Sequence, residues 1–187
     1  MTTIDVLFFD GCEALDAIGP LEILSYGGLD ARPVVQGGPR LVRTAQGLEV
    51  QAGAPRQNAE WLIMPGGGWD DRASNCAQAT VLGDLARAHA HRGGKLGAVC
   101  TGALWLADAG LVGSRPATTH HQYWNELAAM GAEVRRGERV VDDGDLVTSG
   151  GVTSGMFLGL HLVARIQGAA ARKHVEAEIE LPEIPAA

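Results

Sequence analysis

Leu96-Gly97-Ala98-Val99-Cys100-Thr101-Gly102-Ala103 decides how this chain is read. An apolar strand runs into small residues around one cysteine, and a helical pattern begins at once. That is the layout of a nucleophile elbow, with cysteine where many hydrolases carry serine. Ala98 and Gly102 suit it because a tight strand-to-helix reversal brings the backbone close on both sides of the nucleophile. At the helix start, unpaired N–H groups and the macrodipole are expected to favour a thiolate over a thiol. The plain alternative is a small buried hydrophobe, a common use of cysteine in any strand-turn-helix.

Working outward from the elbow, strands and helices alternate. Ile4 to Phe9 is a short apolar strand with little alternation, as expected when both faces of a parallel sheet are covered. Ala14 to Tyr26 reads as a helix that stops at Gly27-Gly28, and Gly19-Pro20 is expected to kink or divide it. Ala31 to Gln36 and Gly47 to Gln51 read as strands, with a turn at Gly37-Gly38-Pro39. Trp61 to Met64 is a buried strand that ends at Pro65-Gly66-Gly67-Gly68. A helix over Ala77 to His91 precedes the elbow strand, and the elbow helix runs to Ala109. Ala117 to Thr119 is a short strand, and Tyr123 to Met130 a helix. Arg139 to Asp142 and Leu146 to Ser149 form a hairpin around Asp143-Gly144, followed by a helix over Thr153 to Gln167. One domain is expected over 1–171. Residues 172–187 are an acidic, Pro-containing tail, read as extended or as an arm for subunit contact. The alternation predicts a largely parallel sheet with helices on both faces. Its active crevice should lie beyond the carboxyl ends of the strands.

Composition excludes several function classes. The chain has 187 residues, 46% of them hydrophobic and 20% charged, the balance of an ordinary globular protein. With 15 basic and 22 acidic side chains the net charge is −7, and no Lys/Arg-rich run offers a phosphate-binding surface. No nucleic-acid partner is therefore expected. No apolar run approaches the ~18 residues of a membrane span, so no membrane partner is expected either. The N-terminus lacks a signal-peptide pattern. Cys12, Cys76 and Cys100 are an odd, widely spaced set without a CxxC pair, which suggests free thiols and a cytoplasmic protein.

Three candidate segments fall at strand ends: the turn after Phe9, the glycine loop after Met64, and Cys100. The glycine run is either a strand-exit turn or a source of backbone N–H groups for an oxyanion hole. In Gly11-Cys12-Glu13-Ala14-Leu15-Asp16, Glu13 reads as a helix cap. Asp16 differs, being flanked by Leu15, Ala17 and Ile18. A carboxyl held against apolar surface favours its neutral form and could donate a hydrogen bond to a thiolate. No metal is expected, because His89, His91, His161 and His174 lack the spacing of a convergent ligand set. Cys12 reads as a packing residue, Cys76 as part of a surface loop over 70–75, and Trp69 as a border of the glycine-loop pocket.

Together, Pro65-Gly66-Gly67-Gly68, Ala98-Val99-Cys100-Thr101-Gly102-Ala103, Ala117-Thr118-Thr119-His120 and Thr148-Ser149-Gly150-Gly151 resemble the ThiJ/PfpI superfamily over Ile4 to Gln167. The resemblance implies a flavodoxin-like sandwich, a homodimer, a reactive Cys100 and a partnering acid at Asp16. It also implies an oxyanion loop at the backbone of Gly67 and Gly68, joined by Thr101. Thr101 stands where protease-like members carry histidine, which excludes a Cys-His pair of sequence neighbours. Asp16, with Gly19-Pro20 and Ala117-Thr118-Thr119-His120, is similar to the isocyanide hydratase branch. That branch implies a small-molecule electrophile as partner, no cofactor, and hydration through a covalent thioimidate at Cys100. Two alternatives stay open: glyoxalase-like action on small aldehydes, and redox sensing by Cys100 oxidation without turnover. His120 is the remaining acid–base or pocket candidate, with a polar turn as the alternative. Its neighbour His121 replaces an expected aromatic residue. The short stretch after the last core helix is expected to leave no DNA-binding domain.

Overall fold

The computed structural model describes residues 2–74 and 76–182. In chain order the elements are β1 (Thr3–Leu7), α1 (Ala14–Tyr26), β2 (Asp30–Val34), β3 (Arg40–Arg43), β4 (Glu49–Ala52) and β5 (Trp61–Met64). They continue with α2 (Cys76–His91), β6 (Lys95–Val99), α3 (Gly102–Asp108), β7 (Pro116–Ala117), a 3-10 turn (His121–Tyr123) and α4 (Trp124–Ala129). The last are β8 (Glu133–Val134), β9 (Val140–Asp142), β10 (Leu146–Ser149), α5 (Ser154–Gln167) and α6 (Ala169–Glu178). Six strands form the main sheet in the order β2-β1-β5-β6-β10-β9. All neighbours are parallel except β9, which runs antiparallel to β10. Taken by their rank along the chain, the parallel strands follow the 2-1-3-4-5 order of a flavodoxin-like fold. The order reverses beside β1, and a crevice opens there past the strand ends.

Packing follows from the composition of each element. Trp61, Leu62, Ile63 and Met64 are all buried, as a strand covered on both faces requires. α1 packs on α5 and α5 on α6 in one layer, while α2 and α3 pack together in the other. The α1–α5 contact is a seam of small residues. A Cβ on Gly159 would stand 2.8 Å from Ile23 Cβ, and one on Gly155 would stand 3.0 Å from Pro20 Cδ. That seam accounts for one departure from expectation. α1 is a single helix through Gly19-Pro20. Proline removes one helical hydrogen bond, and close packing against α5 holds the turn in place.

Two further readings are corrected. β3 pairs antiparallel with β4, a strand unrecognised because Arg40 and Arg43 bracket only two apolar residues. The chain beyond Arg172 is not extended: α6 runs to Glu178 and buries Val175. Residues 183–187 of the expected tail lie outside the described residues, as does Asn75 at the end of the loop before Cys76. Cys76 itself opens α2 and is exposed. Among the described residues no helix is long and apolar enough to cross a membrane.

Candidate active site

The three strand-end segments interlock through glycines. A Cβ on Gly102 would sit 2.2 Å from Met64 O, and one on Gly67 would sit 2.5 Å from Gly11 O. A Cβ on Gly66 would meet Thr101 Oγ1 at 2.6 Å and Asp16 Oδ2 at 2.7 Å. Only residues without side chains let the loops after β1, β5 and β6 approach this closely.

Cys100 occupies the elbow with φ 57°, a left-handed conformation that costs a non-glycine residue about 1–3 kcal/mol. Its surroundings hold it there. The Cys100 N–H donates to Ser149 O (3.2 Å) and Gly150 O (3.0 Å), and Thr119 Oγ1 donates to Cys100 O (2.7 Å). Ser149 Oγ donates to Ala98 O, and Thr118 N–H to Thr148 Oγ1. The two threonine-serine segments that carried the family resemblance are thus the clamps of the elbow. A second strained residue, Val152 at φ 38°, follows the Gly150-Gly151 turn and lines the same cavity.

Asp16 is fully buried on the first turn of α1. Its Oδ2 accepts the Gly66 N–H at 2.9 Å, while Oδ1 is buried with no hydrogen-bond partner. The carboxyl lies beside the Cys100 thiol and interacts with it. Burial pushes Asp16 up to about 7. Burial, and then the Asp16 charge, push the Cys100 thiol up to about 12, with the backbone of Val152 and Thr101 opposing. The expectation of a standing thiolate is therefore corrected. Desolvation and a like-charged neighbour outweigh the start of the short helix α3, so the thiol keeps its proton at neutral pH while Asp16 titrates there.

Cys100, Thr101, Gly67, Gly68 and His120 meet at one cavity of about 260 Å³, bordered by Trp69 as expected. The Gly67 N–H does not face a substrate, however. It donates to Thr101 Oγ1 at 3.0 Å, which corrects its assignment as an oxyanion donor. Gly68, at φ 66°, has no backbone partner among the described residues. His120 fits because residue 151 is glycine; a Cβ there would strike its Cδ2 at 2.2 Å. Burial, then the neighbouring His121, hold the His120 imidazole below its ordinary range. His121 points to a separate cavity beside Trp124.

Some site residues escaped the sequence reading. Tyr123 lines the cavity, and its hydroxyl donates to Asp70 at 2.8 and 2.7 Å to the two carboxylate oxygens. Glu13 does not cap α1 through its side chain. Instead the Ala14 N–H donates to Gln46 Oε1 (3.0 Å), and Gln46 Nε2 donates to Glu13 Oε2 (2.6 Å). The freed Glu13 carboxylate borders the cavity. Cys12 is buried, and that burial raises its thiol to about 11, consistent with packing.

Comparison with known proteins places this arrangement. The profile of the DJ-1/PfpI family matches residues 2–165. An isonitrile hydratase of Pseudomonas putida is 29% identical over 185 residues, covering 97% of this chain and 79% of that protein. An uncharacterized protein from the cpoL 5' region of Streptomyces lividans is 38% identical over 130 residues, 66% of this chain and 90% of that protein. The crystal structure of Drosophila melanogaster DJ-1beta superposes with a TM-score of 0.83 at 19% identity, over 97% of this chain and 100% of that one, a likeness of fold.

Proposed function

This chain belongs to the DJ-1/PfpI family, and on that premise we propose that it is a cysteine-dependent hydratase converting an isocyanide to an N-substituted formamide. The observation that carries the reading is Asp16. One of its oxygens is fixed by Gly66 N–H, the other is buried without a hydrogen-bond partner among the described residues, and its carboxyl titrates near neutrality beside the one thiol that these residues bring to the cavity. A group so placed can take a proton and return it within one catalytic cycle.

In the first step Cys100 sulfur bonds to the terminal isocyanide carbon. The thiol proton passes through Asp16 to that same carbon, leaving an S-linked thioimidate. Water then adds to the C=N bond, its oxygen to carbon and one proton to nitrogen. The carbon–sulfur bond breaks as the hydroxyl proton returns to sulfur through Asp16, and the formamide leaves. The balance closes with water alone, so no cofactor enters. Attack coupled to proton transfer suits a thiol that burial holds protonated. The backbone N–H groups of Gly68 and Thr101 are assigned to the charge that develops on the substrate, and His120 to the cavity wall.

The test is steady-state turnover of an aryl isocyanide to its formamide. Many turnovers per chain in the wild type and none in Cys100→Ser are expected. Asp16→Asn should slow turnover by about 100- to 10,000-fold. A folded wild type with a reactive Cys100 and no turnover would overturn the proposal.

A further inference from the structure

The entrance to the Cys100 cavity carries an unusual balance of charge. Glu13, Asp70 and Asp71 line it alongside His120 and Tyr123, and no lysine or arginine lines it among the described residues. Among the described residues, none of the three carboxylates is neutralised by an ion pair. Glu13 accepts from the Gln46 amide, Asp70 from the Tyr123 hydroxyl, and Asp71 has no ion-pair partner among the described residues. Arg72, the nearest cation in sequence, does not line the cavity: it pairs with Glu126 at 2.7 Å and stacks at 4.0 Å on Trp69, one of the cavity walls. His120 brings no compensating charge at neutral pH, because burial and His121 hold it below its ordinary range. Beside the thiol, Asp16 is fully buried, and its Oδ1 has no hydrogen-bond partner among the described residues.

A ligand reaching the sulfur therefore enters a cavity lined by three carboxylates and stops beside the Asp16 carboxyl. A concave site lined by one sign of charge concentrates ligands of the opposite sign and repels those of its own. We propose that the cavity sorts electrophiles by charge, with Glu13, Asp70 and Asp71 admitting uncharged and cationic small molecules to Cys100 and turning away anionic ones. The inference deepens the hydratase reading and rests on its assignment of Cys100 as the reacting thiol. It narrows the substrate class to isocyanides bearing neutral or basic substituents, and it excludes those bearing carboxylate, sulfonate or phosphate groups.

The test uses two thiol reagents of similar size and opposite charge, the trimethylammonioethyl and sulfonatoethyl methanethiosulfonates. They are applied to the full chain carrying Cys76→Ser, and modification of Cys100 is followed by mass spectrometry. Each rate is divided by that reagent's rate with mercaptoethanol, which removes intrinsic reactivity. The cationic reagent is expected to be favoured by about tenfold or more, within the range that electrostatic focusing produces. The preference should shrink as salt is added. It should also fall toward unity in the double variant Glu13→Gln, Asp71→Asn. Equal normalised rates, a preference for the sulfonate, or failure of the cationic reagent to reach Cys100 would each overturn the proposal. Turnover of isocyanides is not part of this readout. Charge-selective labelling without turnover would remove the hydratase and keep the sorting, and turnover with unselective labelling would do the reverse.

Discussion

Replacing Asp16 with asparagine isolates the energetic cost of keeping a carboxyl under the nucleophile. Asparagine preserves the shape and retains an oxygen to accept the Gly66 N–H, but it does not titrate. In the folded protein the Asp16 carboxyl is raised from the ordinary 3.8 to about 7, with burial as the largest cause. Below the lower value the carboxyl is protonated in both folded and unfolded chains, and above the upper value it is ionised in both. Between them the folded protein holds a proton that the unfolded chain has released. Wild-type stability therefore falls as pH climbs through this window, relative to a variant that cannot ionise. At about 1.36 kcal/mol per unit the rise corresponds to ~4 kcal/mol, undiminished by solvent because Asp16 is fully buried. Urea unfolding followed by tryptophan fluorescence, from about pH 4 to about pH 8, measures it in both proteins. The stability of Asp16→Asn minus that of wild type should grow by ~4 kcal/mol across the window. Curves that stay parallel would refute the reasoning, and so would a wild type that gains on the variant as pH rises.

Other perturbations test other parts of the structure. Gly159→Ala places a Cβ 2.8 Å from Ile23 Cβ and should destabilise by about 1–3 kcal/mol; a loss of turnover beyond that of stability would mark a shift of α1 and Asp16. Thr101→Val leaves the half-buried Gly67 N–H without its acceptor and should cost about 1 kcal/mol, whereas Thr101→Ser should restore most of it in the same unfolding assay. Arg56→Ala breaks a half-buried clamp in which Arg56 meets the buried Asp5 at 2.6 Å and the partly exposed Asp30 at 2.7 Å, and leaves the Asp5 carboxylate without its cation. It should cost about 3–5 kcal/mol. Because that clamp lies at the opposite ends of the strands, turnover by the protein still folded should be retained.

The sheet was legible because apolar runs such as Trp61 to Met64 and punctuation such as Pro65 to Gly68 are local features. That Cys100 and Asp16 meet at the strand ends was legible for the same reason: one has small residues on either side, the other an apolar frame. What escaped depends on distant partners. Which glycine N–H is free was not readable, because the answer lies in Thr101, far along the chain from Gly67. Nothing near Tyr123 announces its bond to Asp70. Glu13 looked like a cap because the competing donor and acceptor, Gln46, comes from another loop. The thiol's protonation was misjudged because helix-start effects are visible in sequence, while desolvation appears only once the chain has closed over the site.

The small-residue seam between α1 and α5 has a consequence for how this protein can change. Asp16 is set by the distance between two helix axes, and that distance is written in Gly155 and Gly159. Two of the three carboxylates lining the cavity, Asp70 and Asp71, sit instead on a loop with no part in the seam, and only Glu13 borders α1. The proposed chemistry and most of the proposed selectivity thereby fall in separate regions of the fold. Substitutions in the loop can change which electrophiles reach Cys100 while Asp16 stays in place. A single methyl group in the seam, at a residue outside the cavity wall, can displace Asp16 itself.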